Sequence, residues 1–211
     1  KDDLLGIVLT HAHEDHIGAI AHLWPKLECK IFATSFTAVL NKEKFKEKHI
    51  DITKHLKIVQ LNGTVDLNPF KIEYITLTHS ILEPNGLRIE TPAGVILHTG
   101  DWKIDPEPLI GGNINSNRLK EIGNDGVLAM ICDSTNVFSL GKAGSELDVR
   151  KSMLNIMSSL KKRIIIASFA SNVARLETAF YCAEKTGRQI SLVGRSMHRI
   201  FKAARQCGYL K

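Results

Sequence analysis

The stretch "LTHAHEDHIGA", residues 9–19, places three histidines and two acidic residues in six consecutive positions, directly after the apolar run "LLGIVL". Side chains alternate between the two faces of a strand, so His11 and His13 point the same way at the end of a predicted strand. The chain then turns, and Asp15 and His16 can face a neighbouring point. Neutral imidazoles and carboxylates are ligands that zinc prefers, with manganese as the alternative where oxygen ligands are numerous. The motif therefore predicts a metal site that could serve two ions.

Two later strands end in residues suited to the same site. "ITLTHS" ends with His79, and "VILHTGD" ends with Asp101 after a Thr-Gly turn. Each is weak on its own, because single histidines and aspartates are common at strand ends. Since strand ends can converge on one rim of a sheet, we expect both residues to join the first cluster.

The composition is that of an ordinary globular chain, with 211 residues, 44% hydrophobic and 24% charged, which favours one or two domains. The sequence contains no apolar run of the roughly 18 residues that a membrane span needs, and its first residues lack a secretory signal pattern. Four cysteines lie far apart and form no CxxC pair, which favours a reducing compartment. We therefore expect a cytoplasmic protein without a membrane segment.

Charge is unevenly distributed along the chain. Residues 1–150 contain 16 Lys and Arg against 20 Asp and Glu, whereas residues 151–211 contain 12 against 2. An acidic, histidine-rich part suits cations, and a part this basic suits a polyanion such as nucleic acid. The change in charge balance near residue 150 predicts two units, 1–150 and 151–211, with different partners.

The apolar patterns support the same division. The first 140 residues contain short apolar or alternating runs separated by Gly, Pro and Asn turns, with helical patterns at 15–24 and 35–48. Ser145 and Asp148 form a predicted capping box that opens a connecting helix. The segments that follow alternate as strand, helix, strand and helix, the pattern of a parallel sheet: "RIIIASF", "NVARLETAFYCAEKTG", "QISLVG" and "SMHRIFKAARQCG".

The motifs, taken in order, resemble those of the ribonuclease J family, metallo-β-lactamase-fold ribonucleases whose catalytic domain is interrupted by a β-CASP domain. The resemblance rests on "THAHEDHIGA", "THS", "HTGDWKID", "CDSTNV", "IIIASFASNVARL" and "LVGRSM". It implies an α/β fold: a partial metallo-β-lactamase αββα sandwich in 1–150, without the family's N-terminal strands, and the start of a β-CASP α/β parallel-sheet domain in 151–211. The later histidine motifs of the family are absent, so we expect an internal piece of a longer enzyme that is inactive on its own.

The resemblance also implies roles for the clustered residues. His11, His13 and His79 would hold one zinc, Asp15 and His16 would belong to a second, and Asp101 would bridge them. Asp133 in "CDSTNV" matches the acidic residue of the first β-CASP motif. Asp15 and Asp133 are the predicted catalytic residues, with Asp15 orienting or deprotonating a water or serving as a ligand alone. Two cations about 3.5–4 Å apart would activate the water and stabilise the leaving oxygen of a phosphodiester.

Helix starts in the basic part are candidates for phosphate binding, because they present unpaired N–H groups and a partial positive charge. The ordinary alternative is that their Ser and Asn residues only cap helices. The family binds the terminal phosphate of RNA on this domain, which favours phosphate contact. The candidates are Ser168, Ser171, Asn172, Arg175, Arg195 and Ser196.

One segment departs from the family pattern. After His79 the chain reads "SILEPNG" where the family commonly has Pro-Asp-Ser. Leu82 and Glu83 therefore leave the shape of this loop open. Five other histidines match no ligand position, and we assign them ordinary packing or surface roles: His22, His49, His55, His98 and His198.

The expected function is metal-dependent hydrolysis of RNA, with 5′-to-3′ exonuclease and endonuclease activity in the intact enzyme, in rRNA processing and mRNA decay. The expected partners are 5′-monophosphorylated RNA and further copies of the chain in a homo-oligomer. Three alternatives stay open: a DNA-processing nuclease, a hydrolase of a thioester or lactam, and a non-catalytic RNA-binding fragment. A small thioester would give no reason for the basic segment.

Overall fold

The computed structural model describes residues 3–211, so Lys1 and Asp2, the first residues of the predicted unit 1–150, lie outside the described residues. The strands are β1 (Gly6–Val8), β2 (Lys30–Ala33), β3 (Leu56–Ile58), β4 (Thr64–Leu67), β5 (Phe70–Thr76), β6 (Asn85–Thr91), β7 (Gly94–His98) and β8 (Ala129–Ile131). The helices are α1 (Glu14–Ile17), α2 (Ile20–Leu27), α3 (Ser35–Glu47), α4 (Ser116–Asp125), α5 (Glu146–Ser159), α6 (Val173–Lys185) and α7 (Arg195–Gln206). Strands β1, β2 and β3 form one sheet, and β4 to β8 form a second.

The first sheet is parallel throughout, because helices connect its consecutive strands. Residues of β2 alternate between its two faces. Ile31 and Ala33 pack with Trp24 of α2 and Phe36 of α3, whereas Phe32 faces the second sheet. The helices therefore cover the outer face of this sheet.

The second sheet is antiparallel from β4 to β7 and parallel between β7 and β8. Ile72 and Tyr74 of β5 pack against Phe32, and the Tyr74 hydroxyl donates a hydrogen bond to the Phe32 carbonyl oxygen at 3.0 Å. Ile75 points to the opposite face and packs with Ile122 of α4. The order helix, sheet, sheet, helix confirms the predicted αββα sandwich.

The sequence patterns located most helices of the first half but missed α4. The predicted helix 35–48 is confirmed as α3, and the pattern at 15–24 is divided between α1 and α2. Helix α4 begins after Asn115, whose side chain accepts a hydrogen bond from the Arg118 backbone N–H. This N-cap was a local signal that could have identified the helix.

In the second half, the three helices form as predicted but the two strands do not. Ser145 caps α5 by accepting from Leu147 N–H. The segments 163–169 and 189–193 have no regular secondary structure, and Ile165 and Val193 are 90% and 87% exposed. A helix satisfies its own backbone groups, whereas a strand needs a neighbouring strand as partner. Neither segment pairs with a strand of the two sheets in residues 3–211.

Helix α7 packs against α3 and joins the two halves. Ile200, Ala203 and Ala204 belong to the same core as Phe36, and Arg199 forms ion pairs with Glu43 and Glu47 of α3. The start of α6 also reaches the first half, because Val173 belongs to this core and Ser171 contacts His13. None of the helices in residues 3–211 is long and apolar enough to cross a membrane.

Candidate metal centre

The histidine motif forms the connection between β1 and α1. The backbone of Leu9 still donates to Phe32 of the neighbouring strand, and the chain then leaves the sheet at buried His11. His13 is the N-cap of α1, and the N–H groups of His16 and Ile17 both donate to its carbonyl oxygen. This single helical turn changes the direction of the chain after β1.

Three imidazoles and one carboxylate converge at the end of this connection. His13 Nδ1 lies 3.1 Å from His11 Nε2 and 3.2 Å from His79 Nε2. Asp101 Oδ2 lies 3.9 Å from His11 Nε2 and 3.8 Å from His79 Nε2. Ligands about 2.0–2.1 Å from a tetrahedral zinc are about 3.3–3.4 Å apart. The spacing of the three nitrogens therefore suits one divalent cation.

A second group shares the same aspartate. His16 Nε2 lies 3.5 Å from Asp15 Oδ2 and 3.4 Å from Asp101 Oδ1. The ligand atoms of Asp15, His16 and Asp101 are close enough to one another to bind one ion. The two oxygens of Asp101 thus face the two groups, an arrangement that allows the carboxylate to serve both. The structure brings together all six residues predicted as ligands.

The three imidazoles of the first group are held in the neutral form that binds metal. Burial, reinforced by the neighbouring imidazoles, lowers the pKa of His11 to about 2 and that of His13 to about 4. Burial also lowers the pKa of His79. A neutral imidazole keeps a nitrogen lone pair free for a cation. The donor set therefore fits a divalent metal in both geometry and protonation.

Two hydroxyl groups contact the outward nitrogens of the histidines. Thr10 Oγ1 lies 3.1 Å from His11 Nδ1, and Ser171 Oγ lies 3.2 Å from His13 Nε2. In each ring the other nitrogen faces the ligand cluster. Thr10 had no predicted role, and its position beside His11 in the sequence was the available signal.

The predicted Thr-Gly turn that presents Asp101 depends on Gly100 and on His98, which was assigned only a packing or surface role. Gly100 N–H donates to His98 Nδ1 at 2.9 Å, which closes the turn after β7. Gly100 has φ +57°, and a Cβ there would lie 2.8 Å from the Asn85 carbonyl oxygen. Glycine is required at this point, and the "HTGD" sequence was the available signal.

Asp133 lies beside the cluster and belongs to neither ligand group. Its Oδ1 accepts hydrogen bonds from the Thr135 backbone N–H and hydroxyl, which hold the pKa of the carboxyl below its usual range. Its backbone N–H donates to Thr99 Oγ1, two residues before Asp101, and its negative charge favours the protonated form of His79. Its catalytic role stays a prediction.

The six phosphate-binding candidates have different surroundings. Ser168, Arg195 and Ser196 are exposed. Asn172 caps α6 by accepting from Arg175 N–H, and the Arg175 guanidinium lies 3.4 Å from the Glu146 carboxylate. Ser171 contacts His13, as described above. Three candidates therefore face solvent, and three are engaged in contacts within the chain.

Comparison with known families is consistent with this geometry. The model of the metallo-beta-lactamase superfamily matches residues 1–120, more than half of the chain. The chain therefore belongs to the metallo-β-lactamase superfamily, whose fold implies divalent metal binding. The model "Ribonuclease J, beta-CASP domain" matches residues 161–211. Both matches confirm the fold class expected from the sequence.

Curated relatives extend the similarity over the whole chain. Proteins named ribonuclease J are 39% identical in Sinorhizobium meliloti and 40% identical in Corynebacterium glutamicum, covering 100% and 97% of this chain. The chain covers 37% and 28% of those proteins, so it spans about a third of their length. A solved protein of unknown function from Enterococcus faecalis V583 shares the fold, with a TM-score of 0.64 at 17% identity over 93% of this chain and 48% of that one. The resemblance to ribonuclease J is confirmed.

Proposed function

We propose that the full-length protein is a metal-dependent ribonuclease that hydrolyses RNA phosphodiesters at the centre formed by residues 11–16, His79 and Asp101. The observation that carries the proposal is that His11 Nε2 and His79 Nε2 both lie within 3.2 Å of His13 Nδ1, beside a carboxylate shared with a second group. Similarity to ribonucleases J along the whole chain supports RNA as the substrate.

The ligand assignment follows the two groups. His11, His13 and His79 would hold a first zinc, Asp15 and His16 would contribute to a second, and Asp101 would be shared by the two, with manganese as the alternative metal. Such cations supply Lewis-acid chemistry, neutralising phosphate charge and lowering the pKa of water. The Asp15 side chain is 75% exposed and is therefore free to orient a water or take its proton. Asp133 adds negative charge beside His79.

The basic unit provides the substrate side of the proposal. Arg195 and Ser196 begin α7 in exposed positions, where unpaired N–H groups favour a phosphate. We assign 5′-monophosphorylated RNA as the preferred substrate, with exonuclease and endonuclease activity, in a cytoplasmic homo-oligomer.

The proposed division into units 1–150 and 151–211 is bridged by α5, which continues across it.

The proposal is tested on the full-length protein. Metal is removed with a chelator and restored as zinc or manganese, and cleavage is compared on RNA, single-stranded DNA, a thioester and a lactam. We expect RNA cleavage to disappear on removal and to return with metal. Better turnover of any other substrate, or metal-loaded protein without RNA cleavage, would contradict the proposal.

The phosphate assignment has its own prediction. Replacing Arg195 and Ser196 with alanine removes a positive charge and a hydroxyl at the start of α7. We expect a larger loss of cleavage on 5′-monophosphorylated than on 5′-hydroxyl RNA, with internal cleavage less affected. Equal loss on both RNAs would exclude these residues as the 5′-phosphate site.

A further inference from the structure

Ser171 connects the basic half of the chain directly to the metal centre. Its Oγ lies 3.2 Å from His13 Nε2, although the two residues are 158 positions apart in the sequence. Ser171 immediately precedes the Asn172 cap of α6. A residue of the β-CASP-like segment therefore contacts a predicted metal ligand.

The geometry determines which way the hydrogen bond runs when metal is bound. His13 Nδ1 is the atom that faces His11 and His79. With Nδ1 occupied by a cation, the single proton of the neutral ring must be on Nε2. The Nε2–H then donates to Ser171 Oγ. This parallels the contact of His11 Nδ1 with Thr10, except that Thr10 is a neighbour in sequence.

The loop that carries Ser171 is itself held in place. Val173 is 1% exposed in the main core, and its N–H donates to the Ser171 carbonyl oxygen. Arg175, one turn further on, pairs with buried Glu146, which also pairs with Lys103 at 3.3 Å. Lys103 follows Asp101 closely in the chain. The position of the Ser171 hydroxyl is therefore fixed by the buried Val173 and by the ion pairs of Arg175 with Glu146 and of Glu146 with Lys103.

We propose that Ser171 is a positioning residue for the metal centre: its hydroxyl oxygen holds His13 in the Nε2-protonated tautomer and in the ring orientation that directs Nδ1 to the first metal. The proposal rests on the ligand role of His13 in the proposed function. It differs from the phosphate role predicted for Ser171, since the contact is to a ligand. A hydroxyl has one proton and two lone pairs, so accepting from His13 leaves the proton available to an anionic substrate oxygen.

The test measures metal binding by the full-length protein. Zinc affinity is determined by competition with a chelator, and cobalt(II) absorption reports the coordination geometry. We expect Ser171→Ala to weaken zinc binding about 10- to 100-fold, as for loss of other partners of ligating histidines, and to alter the cobalt spectrum. Ser171→Thr keeps the hydroxyl and should restore both. Ser152→Ala, which removes an exposed hydroxyl on α5, should change neither.

Two further measurements make the result decisive. Thermal unfolding of each metal-free variant shows whether the fold is intact. Unchanged zinc affinity and cobalt spectrum in Ser171→Ala would overturn the proposal, as would a Ser171→Thr variant that folds but binds no better than Ser171→Ala. His13→Ala distinguishes failure of the ligand assignment from failure of the Ser171 proposal. If His13→Ala retains wild-type zinc affinity, His13 is not a ligand. If His13→Ala loses zinc but Ser171→Ala does not, only the role of Ser171 is overturned.

Discussion

Asp101 is the residue at which the two ligand groups of the metal centre meet. Its Oδ2 faces His11 and His79, and its Oδ1 faces His16. A shift of this one carboxylate would disturb both groups. Its position depends on the left-handed backbone of the preceding residue, Gly100, and on the hydrogen bond that closes the turn.

Replacement of Gly100 by alanine should therefore damage stability and metal binding together. The new Cβ would lie 2.8 Å from the Asn85 carbonyl oxygen, and φ is +57°. We expect a loss of about 1–3 kcal/mol in the free energy of unfolding, measured with urea, and reduced metal content. Gly123→Ala is the matched control. It lies within α4 with nothing within 4 Å of the new Cβ, and should be neutral or stabilising.

Replacement of His79 by alanine in the full-length enzyme should remove most metal from the first group and nearly all cleavage. Three imidazoles would become two, and Asp101 would lose a neighbour at 3.8 Å. Metal content per chain and turnover on RNA are the measurements. His198→Ala, at an exposed position of α7, is the control and should retain its metal. Unchanged metal content and turnover in His79→Ala would exclude His79 as a ligand.

At the scale of elements, helix α6 shows how a local signal can have a role other than ligand binding. Asn172 was a candidate for phosphate contact, and the ordinary alternative was a helix cap. Its side-chain oxygen accepts from Arg175 N–H, which is the capping arrangement. The cap fixes the start of α6 and with it the adjacent Ser171.

Asn172→Ala should lower the free energy of unfolding by about 1 kcal/mol, because the Arg175 N–H loses its acceptor. Asn172→Asp keeps a capping oxygen and should remain close to the wild type. Urea unfolding of the full-length protein provides the comparison. Asn155→Ala, at an exposed position inside α5, should have little effect or stabilise slightly. Equal stability of the Ala and Asp variants at 172 would show that the cap contributes nothing.

At the scale of the whole molecule, Glu83 links three distant parts of the chain. It is 6% exposed, and it lies in the loop that departs from the family pattern. Its Oε2 accepts from Phe36 N–H at the start of α3, and its Oε1 accepts from the Tyr209 hydroxyl after α7. Burial, followed by the Glu83 charge, raises the pKa of Tyr209. The departure in sequence therefore has a structural role in joining the two halves.

A double-mutant cycle should detect this link. Tyr209→Phe removes a hydrogen bond to a carboxylate and should cost about 1.5–3 kcal/mol in the free energy of unfolding. Combined with Glu83→Gln, the two losses should be non-additive by about 0.5–3 kcal/mol. Tyr181→Phe, whose ring lies under Arg150, is the control and should be additive with Glu83→Gln. Additive losses for the Tyr209 pair would contradict the coupling.

The sequence alone identified the candidate ligands and most of the helices. The histidine and aspartate motifs and the helices α3, α5, α6 and α7 were readable because alternation, helical spacing and caps involve neighbours within a few residues. The predicted ligands do converge. Their functional roles as metal ligands stay proposals.

Which atoms face each other and which segments pair depends on the packing of distant parts of the chain. The contact of Ser171 with His13, the pairing of Arg175 with Glu146 and the link from Glu83 to Tyr209 join residues 29 to 158 positions apart. The predicted strands at 163–169 and 189–193 did not form, because a strand depends on a partner that local sequence does not specify. Such contacts result from the packing of distant segments. No periodicity in the sequence encodes them.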